Sequence, residues 1–359
     1  MSRHYLSCQH LEEGLVLQGN DLLHCCTNHS NNTKGFVKIG SMEDGFSIER
    51  ILQSKADLIA LNQTSLDTPC RGCPYLTKKD WKTNKSKYTI SLLTINTWYA
   101  CNLRCVYCYT ITQPSEVESF QAKYNPLVLI QDLVEKGFLA PDAMISWGGG
   151  EVAAYKYFEP ITRLLMDYGC IQEIHTNGTI YVNLIEEGLR RGKMYVTTSV
   201  DAGTSETYRR IKGRDYFDEV WNNLNRYAQA GAVNVKYIIY DQNNSTEDGL
   251  EFLRLSRKIG AKRILFVPET SEYLQHTISD KTIQTIATMM NKARKLGLRV
   301  TDNLDQHFGK KYSRKIEEKL DFIPLSSRIR KLFKSNPFLI KIFKMIRSNQ
   351  TFSKILKYL

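Results

Sequence analysis

The sequence predicts an α/β protein: a partial (β/α)6 TIM-type barrel with a cysteine-rich N-terminal extension and a C-terminal basic helical tail. Three observations lead there. Strand-like and helix-like patterns alternate six times between residues 88 and 305, as parallel β/α units do. Six such units make three-quarters of an eight-fold barrel, where chemistry sits at the C-terminal ends of the strands. The cysteine-rich, glycine-rich and polar stretches of this chain each follow a strand-like run, which puts them on one rim.

The bulk numbers set the bounds. With 359 residues, 42% hydrophobic and 24% charged, the chain has the composition of a globular protein and enough length for a full core. It has no apolar run of 18 residues, so no spanning helix is expected. Its start, Met1 to Cys8, lacks the apolar stretch of a signal peptide. Nine cysteines in an unexported chain argue for metal chemistry in a reducing compartment, so a cytoplasmic location is expected. The net charge of +12 is uneven: residues 310–359 hold 14 lysines and arginines against three acids, and the rest is nearly neutral.

Residues 1–87 form the N-terminal extension. Five cysteines lie here: Cys8, Cys25, Cys26, Cys70 and Cys73. Cys70-Arg-Gly-Cys73 is a CxxC knuckle, whose glycine lets the backbone turn tightly around a metal. Joined by Cys8 and one or both of Cys25 and Cys26, it assembles a four-thiolate auxiliary site for zinc or a second iron–sulfur cluster. The alternative is scattered buried thiols, which behave as small hydrophobes. His24 and His29 read as polar surface, residues 28–35 as a loop, and Thr77 to Lys87 as a polar linker.

Residues 88–305 carry the barrel. Thr89 to Asn96 is the first strand, and it leads into Cys101-Asn-Leu-Arg-Cys105-Val-Tyr-Cys108. Asn125 caps a helix that Pro126 opens and Lys136 closes. Strand Ala143–Trp147 then runs into Gly148-Gly149-Gly150-Glu151, followed by a helix over Tyr155–Tyr168. Strand Ile171–His175 ends at Thr176-Asn177-Gly178, and strand Tyr195–Val200 ends at Asp201. The helix Tyr216–Ala230, strand Val233–Tyr240, helix Thr246–Ile259, strand Arg263–Val267 and a helix from Ser279 to Leu296 complete the set. Tyr240 and Ser199 fall at the same rim as the cysteines.

Soft thiolates suit iron–sulfur clusters and zinc, and clusters usually take four of them. Three at CxxxCxxC spacing, with no fourth nearby, leave one iron open to a small molecule. The octapeptide Cys101–Cys108, with aromatic Tyr107 before its last cysteine, resembles the cluster loop of the radical S-adenosylmethionine (SAM) superfamily. Gly149-Gly150-Glu151 resembles that family's second signature. Ser199-Val-Asp201 through Arg209-Arg210-Ile-Lys-Gly213 is similar to the fourth-strand segment of its SPASM-related members, although no cysteine follows Cys170.

The resemblance, over residues 89–270, implies that Cys101, Cys105 and Cys108 hold a 4Fe–4S cluster and that SAM chelates its open iron. Reductive cleavage of SAM would give a radical that takes a hydrogen atom from substrate, an oxygen-sensitive chemistry. Tyr107 and Gly149-Gly150-Glu151 are the expected SAM contacts, the glutamate for the amino group. Thr176 and Asn177 are expected at the SAM carboxylate, Ser199 and Asp201 at the ribose hydroxyls, and Arg209 or Arg210 at the carboxylate. An electron donor such as flavodoxin or ferredoxin is the implied partner.

The tail, residues 306–359, alternates apolar residues (Leu325, Ile329, Leu332, Phe333, Ile342, Met345) with lysines and arginines at helical spacing. Such a basic amphipathic pair suits an anionic membrane interface, so a peripheral membrane position is expected beside the cytoplasmic one. Its aromatics lie on the apolar side, so nucleic acid is not an expected partner. The substrate is unidentified. The SPASM-like segment points to a peptide or protein, the tail to a surface-glycan or lipid-linked intermediate. The competing reading is a non-catalytic iron–sulfur or zinc protein docked on membrane or RNA.

Overall fold

Alternation of buried and half-buried residues, unbroken along three of the central strands, decides how this chain folds. The computed structural model describes residues 4–25, 37–73, 75–81, 89–112, 121–239, 242–269, 278–300 and 304–322. Its central strands are β6 (Ile90–Asn96), β7 (Leu139–Trp147), β8 (Ile171–His175), β9 (Met194–Ser199), β10 (Val233–Ile239) and β11 (Arg263–Pro268). They stand in sequence order, each parallel to the next. That is the parallel β/α succession the sequence predicts. The sheet is open, with β11 at one end and the strand Lys38–Ser41 at the other, so the barrel is partial.

On β10 every odd-numbered residue (Val233, Val235, Tyr237, Ile239) is buried and every even one half-buried. β11 repeats the pattern, with Ile264, Phe266 and Pro268 buried. The buried face packs on helices: Trp147 meets Phe158 edge-on at 5.0 Å between ring centroids, and Tyr237 meets Phe252 at 5.0 Å. A buried Gln172 on that face is satisfied by the Trp147 indole at 2.9 Å and the Thr162 carbonyl. The opposite face carries Thr94, Ser146, Glu173, His175, Tyr195, Thr197, Asn234 and Lys236, too polar for a core.

The helices follow the expected positions: Pro126–Glu135 with an Asn125 cap, Phe158–Tyr168, Phe217–Ala230, Thr246–Lys258, and Asp280–Lys295 capped by Ser279. Two more complete the units, Asn183–Arg190 after β8 and Ser205–Lys212 after β9. The latter ends at Gly213 in the left-handed region, φ 68°.

The N-terminal residues extend this sheet. β2 (Gly14–Gln18) pairs parallel with β6, and β3 (Asp21–Leu23) and β4 (Lys38–Ser41) follow antiparallel. Helix Ile48–Thr64 carries a buried Lys55 whose ammonium donates to the carbonyls of His10, Leu11 and Gly14 at 2.7–3.0 Å. One expectation is corrected here: Thr77–Asp80, read as linker, is a strand (β5) pairing antiparallel with β1 (His4–Ser7). Its four side chains are all exposed, which made it read as linker. Its anchor is Trp81, buried, with its indole donating to the Tyr5 and Thr77 carbonyls.

Among the described residues no helix is long and apolar enough to cross a membrane. Residues 323–359, which hold most of the expected basic tail, lie outside the described residues, as do Cys26, His29 and Tyr240.

Candidate active site

The cysteine loop is held at its base by glycines. Gly149 has φ 101°, a region side chains avoid, and an added Cβ there would run into the Trp98 carbonyl oxygen. A Cβ on Gly150 would run into the carbonyl oxygen of Ala100. This closeness lets Gly150 N–H donate to Trp98 O at 2.7 Å and Glu151 N–H to Ala100 O at 2.9 Å. Two strand ends are thus pinned side by side immediately before Cys101.

Glu151 then organises the middle of the site. It is 1% exposed. Its Oε1 accepts from Ala153 N–H at 2.9 Å and from the Thr176 hydroxyl at 2.7 Å, and its Oε2 from Asn177 N–H at 2.7 Å. Burial pushes this carboxyl up, and the three hydrogen bonds pull the other way. Oε2 keeps one lone pair for a further donor such as an ammonium. Thr176 is therefore committed to Glu151. Asn177 turns toward the loop: its amide donates to Cys101 Sγ at 3.5 Å and to Asn102 Oδ1 at 2.8 Å.

The three cysteines of the loop are free thiols, with no disulfide between them. Burial raises the Cys101 thiol, and raises Cys105 to about 11 against the pull of Lys212. Cys105 feels the charge of Cys101 and Cys108, and Cys101 that of Cys108. Leu103 N–H adds a second donor to Cys101 Sγ at 3.4 Å. N–H donors and a nearby cation are what stabilise sulfur carrying negative charge. Among the described residues no three His, Cys, Asp or Glu side chains are close enough to share one metal ion. The donor set, three soft thiolates with N–H donors on the Cys101 sulfur, fits an iron–sulfur cluster.

Lys212 is the functional residue that sequence reasoning missed. It is 2% exposed, and its ammonium bonds Asp201 Oδ2 at 2.5 Å and the Tyr107 hydroxyl at 2.7 Å. Tyr107 also donates to Asp201. Burial pushes the Lys212 ammonium down, and Asp201 with Cys105 more than restores it. Burial likewise drives the Tyr107 phenol well above its ordinary value. Backbone bonds run in parallel: Arg104 N–H to Lys212 O at 2.9 Å and Val106 N–H to Ile211 O at 3.0 Å. The helix Ser205–Lys212 is laced to the cysteine loop along its last turn.

Asp201 is the sole non-glycine residue with positive φ (60°) among the described residues. Its Oδ1 accepts Ile238 N–H at 2.6 Å, and the side chain is 0% exposed. In this structure the carboxylate expected at the ribose is engaged in an internal ion pair with Lys212. Ser199 is half-buried at the end of β9. Arg209 and Arg210 lie on the exposed side of their helix, Arg210 bonding the Gln242 carbonyl at 2.9 Å. The helical phase that turns them outward turns Tyr208, Ile211 and Lys212 inward. That phase was the available signal.

In the N-terminal region, Cys8, Cys70 and Cys73 lie near one another, each of Cys8 and Cys70 feeling its neighbours' charge. Burial raises both thiols. Gly72, at φ 77°, makes the expected knuckle turn. Cys25 is half-buried, on the side of Lys55. His24 is not surface: it is 1% exposed, bonds Ser54 Oγ at 3.0 Å, and burial pushes it down to about 3.

Comparison with known proteins bears on this geometry. Residues 95–256 match the model of the Radical SAM superfamily. A probable GTP 3′,8-cyclase of Saccharolobus solfataricus is 24% identical over 173 residues, 48% of this chain and 54% of that protein. Fe-coproporphyrin III synthase of Methanosarcina barkeri is 26% identical over 205 residues, 55% of this chain and 50% of that protein. The chain thus spans about half the length of the curated relatives it matches. Among solved structures, Streptococcus suis SuiB bound to precursor peptide SuiA aligns at 14% identity and a TM-score of 0.47, covering 77% of this chain and 57% of that one.

Proposed function

Residues 95–256 match the radical SAM superfamily model; from that premise we propose that the protein is a radical SAM enzyme that abstracts a hydrogen atom from a polar substrate bound against the helix-free face of its sheet. Family membership brings a 4Fe–4S cluster and SAM as cofactors, with a requirement for an electron donor. Cys101, Cys105 and Cys108 would hold the cluster, with Asn177 and Leu103 N–H donating to Cys101 sulfur. When bound, these cofactors supply an adenosyl radical that takes hydrogen from substrate.

The chain's own residues do the rest. Glu151 offers its remaining lone pair to an ammonium, Gly149 and Gly150 hold the loop base, and Lys212 fixes Tyr107 beneath the cysteines. Burial excludes water and strengthens each of these electrostatic contacts. The observation that carries the reading is the convergence on Cys101 of Asn177 and, through Asn177 N–H and Thr176, of Glu151. Three stretches far apart in sequence meet there.

Of the two expected substrate classes, a peptide or protein and a surface-glycan or lipid-linked intermediate, the polar sheet face favours the hydroxyl-rich one. Flavodoxin or ferredoxin is the proposed electron donor, and residues 323–359 a proposed anchor to anionic membrane from a cytoplasmic position. A second centre at Cys8, Cys25, Cys26, Cys70 and Cys73 is proposed in iron–sulfur rather than zinc form.

The test is anaerobic reconstitution with iron and sulfide, followed by addition of SAM and dithionite. The expected result is 5′-deoxyadenosine from the wild type and none from Cys105→Ala. Turnover retained in that variant would refute the assignment. Iron and sulfide counts on a chain lacking Cys101, Cys105 and Cys108 test the second centre, which must survive there.

A further inference from the structure

We infer that the helix-free face of the sheet binds an anionic sugar, a polyol carrying a phosphate or carboxylate, with Lys236 as the anion's partner. The inference rests on the radical SAM reading and names the substrate class for it. Lys236 sits on β10, opposite Ser199 of β9 and Leu265 of β11 in register. Its neighbours Val235 and Tyr237 point into the helix layer, so its side chain points the other way.

Lys236 has no hydrogen-bond or ion-pair partner among the described residues. Burial pushes its ammonium downward, and the two carboxylates close enough to oppose this, Asp201 and Glu173, are already engaged. Asp201 belongs to Lys212 at 2.5 Å. Glu173 accepts from Tyr195 at 3.2 Å and Thr197 at 3.1 Å, with His175 Nε2 at 3.3 Å. Lys236 is half-buried, and an ammonium on this face without a protein partner is open to a ligand anion, which would pair with it through a charge-assisted hydrogen bond.

Around Lys236 the same face offers hydroxyl recognition. Tyr195, Thr197 and Asn234 form a chain, with the Asn234 amide donating to the Thr197 hydroxyl at 3.3 Å. Glu173 Oε2 has taken one donor and keeps a lone pair for a second. A sugar ring supplies groups that both donate and accept, which this mixed set can pair in full. One free cation beside hydroxyl-binding groups suits a single negative charge on a polyol, and a neutral sugar would leave Lys236 unmatched.

The probes are α-D-glucose 1-phosphate, D-glucuronate and D-glucose, titrated by calorimetry into the anaerobically reconstituted full chain. SAM is titrated separately. One of the two anions should bind, its identity telling phosphate from carboxylate, and glucose should bind at least about tenfold more weakly. Lys236→Met should weaken the anion roughly ten- to hundredfold, the loss of one charge-assisted hydrogen bond, while Lys236→Arg retains it. The SAM affinity of Lys236→Met should match the wild type.

Absence of binding by both anions, equal binding of glucose, or an unchanged anion affinity in Lys236→Met overturns the inference. An equal loss of SAM affinity in that variant also overturns it, because Lys236 would then serve the cofactor. Failure of the underlying reading is separate: a wild-type chain whose cluster spectrum ignores SAM, yet which binds the anion through Lys236, loses the enzyme assignment and keeps the sugar site.

Discussion

Removing the Lys212 ammonium should destabilise this protein more than any other single loss of charge in the site. Lys212 and Asp201 are 2% and 0% exposed and 2.5 Å apart. Truncating one partner of a buried pair costs about 3–5 kcal/mol, because the other is left as an uncompensated buried charge. Asp201 would keep its donors Ile238 N–H and Tyr107, so Lys212→Met is expected near the low end, about 3 kcal/mol. The double variant Lys212→Met with Asp201→Asn removes both charges and keeps a residue that tolerates the positive φ of 60°. It should therefore cost less than the sum of the singles by more than about 1 kcal/mol. Urea unfolding of the full chain under reducing conditions, followed by circular dichroism, gives the four free energies of the cycle. A Lys212→Met loss below about 1 kcal/mol, or strict additivity, would refute the argument that the pair is buried and coupled.

Other perturbations follow from the same geometry. Gly150→Ala forces a methyl group against the Ala100 carbonyl and should cost about 1–3 kcal/mol with a fall in bound iron, read by thermal unfolding and iron assay; wild-type values for both would contradict it. Asn177→Ala removes a donor to Cys101 Sγ, so the cluster's midpoint potential should fall by about 40 mV for a loss of about 1 kcal/mol, measured by redox-titrated EPR. An upward shift would be the wrong sign. Glu173 lies below its ordinary value because hydrogen bonds from His175, Thr197 and Tyr195 outweigh burial. Its contribution to stability is present above the unfolded pKa and fades as pH falls through the lower, folded one. Glu173→Gln should accordingly lower stability at neutral pH, leave it unchanged at strongly acid pH and so flatten the acid limb of the profile; parallel profiles would count against it.

The strands and most helices could be read from the sequence because period-two and period-3.6 patterns survive burial: β8, β10 and the Asn125 and Ser279 caps stand where the pattern puts them. The rim position of Cys101, Glu151 and Asn177 followed from the same alternation. What could not be read was long-range pairing. Nothing local in Gly14–Gln18 says that it joins β6, and nothing in Thr77–Asp80 says that His4–Ser7 will find it. Within the site, resemblance to the family's fourth-strand segment nominated Arg209 and Arg210, whereas helical phase turns Lys212 inward. The carboxylate of Asp201 looked available at a strand end, and only the folded backbone shows it turned inward.

The pairing of β2 with β6 reaches further than the sheet it completes. β6 delivers the chain to Cys101, and both of its flanks are occupied, by β2 on one side and β7 on the other. A fragment starting at residue 88 would strip one flank and leave a row of open amides and carbonyls beside the redox loop, an invitation to intermolecular strand addition. Expression designs that trim the chain to the matched segment should therefore aggregate. The first two dozen residues belong in any version meant to carry iron.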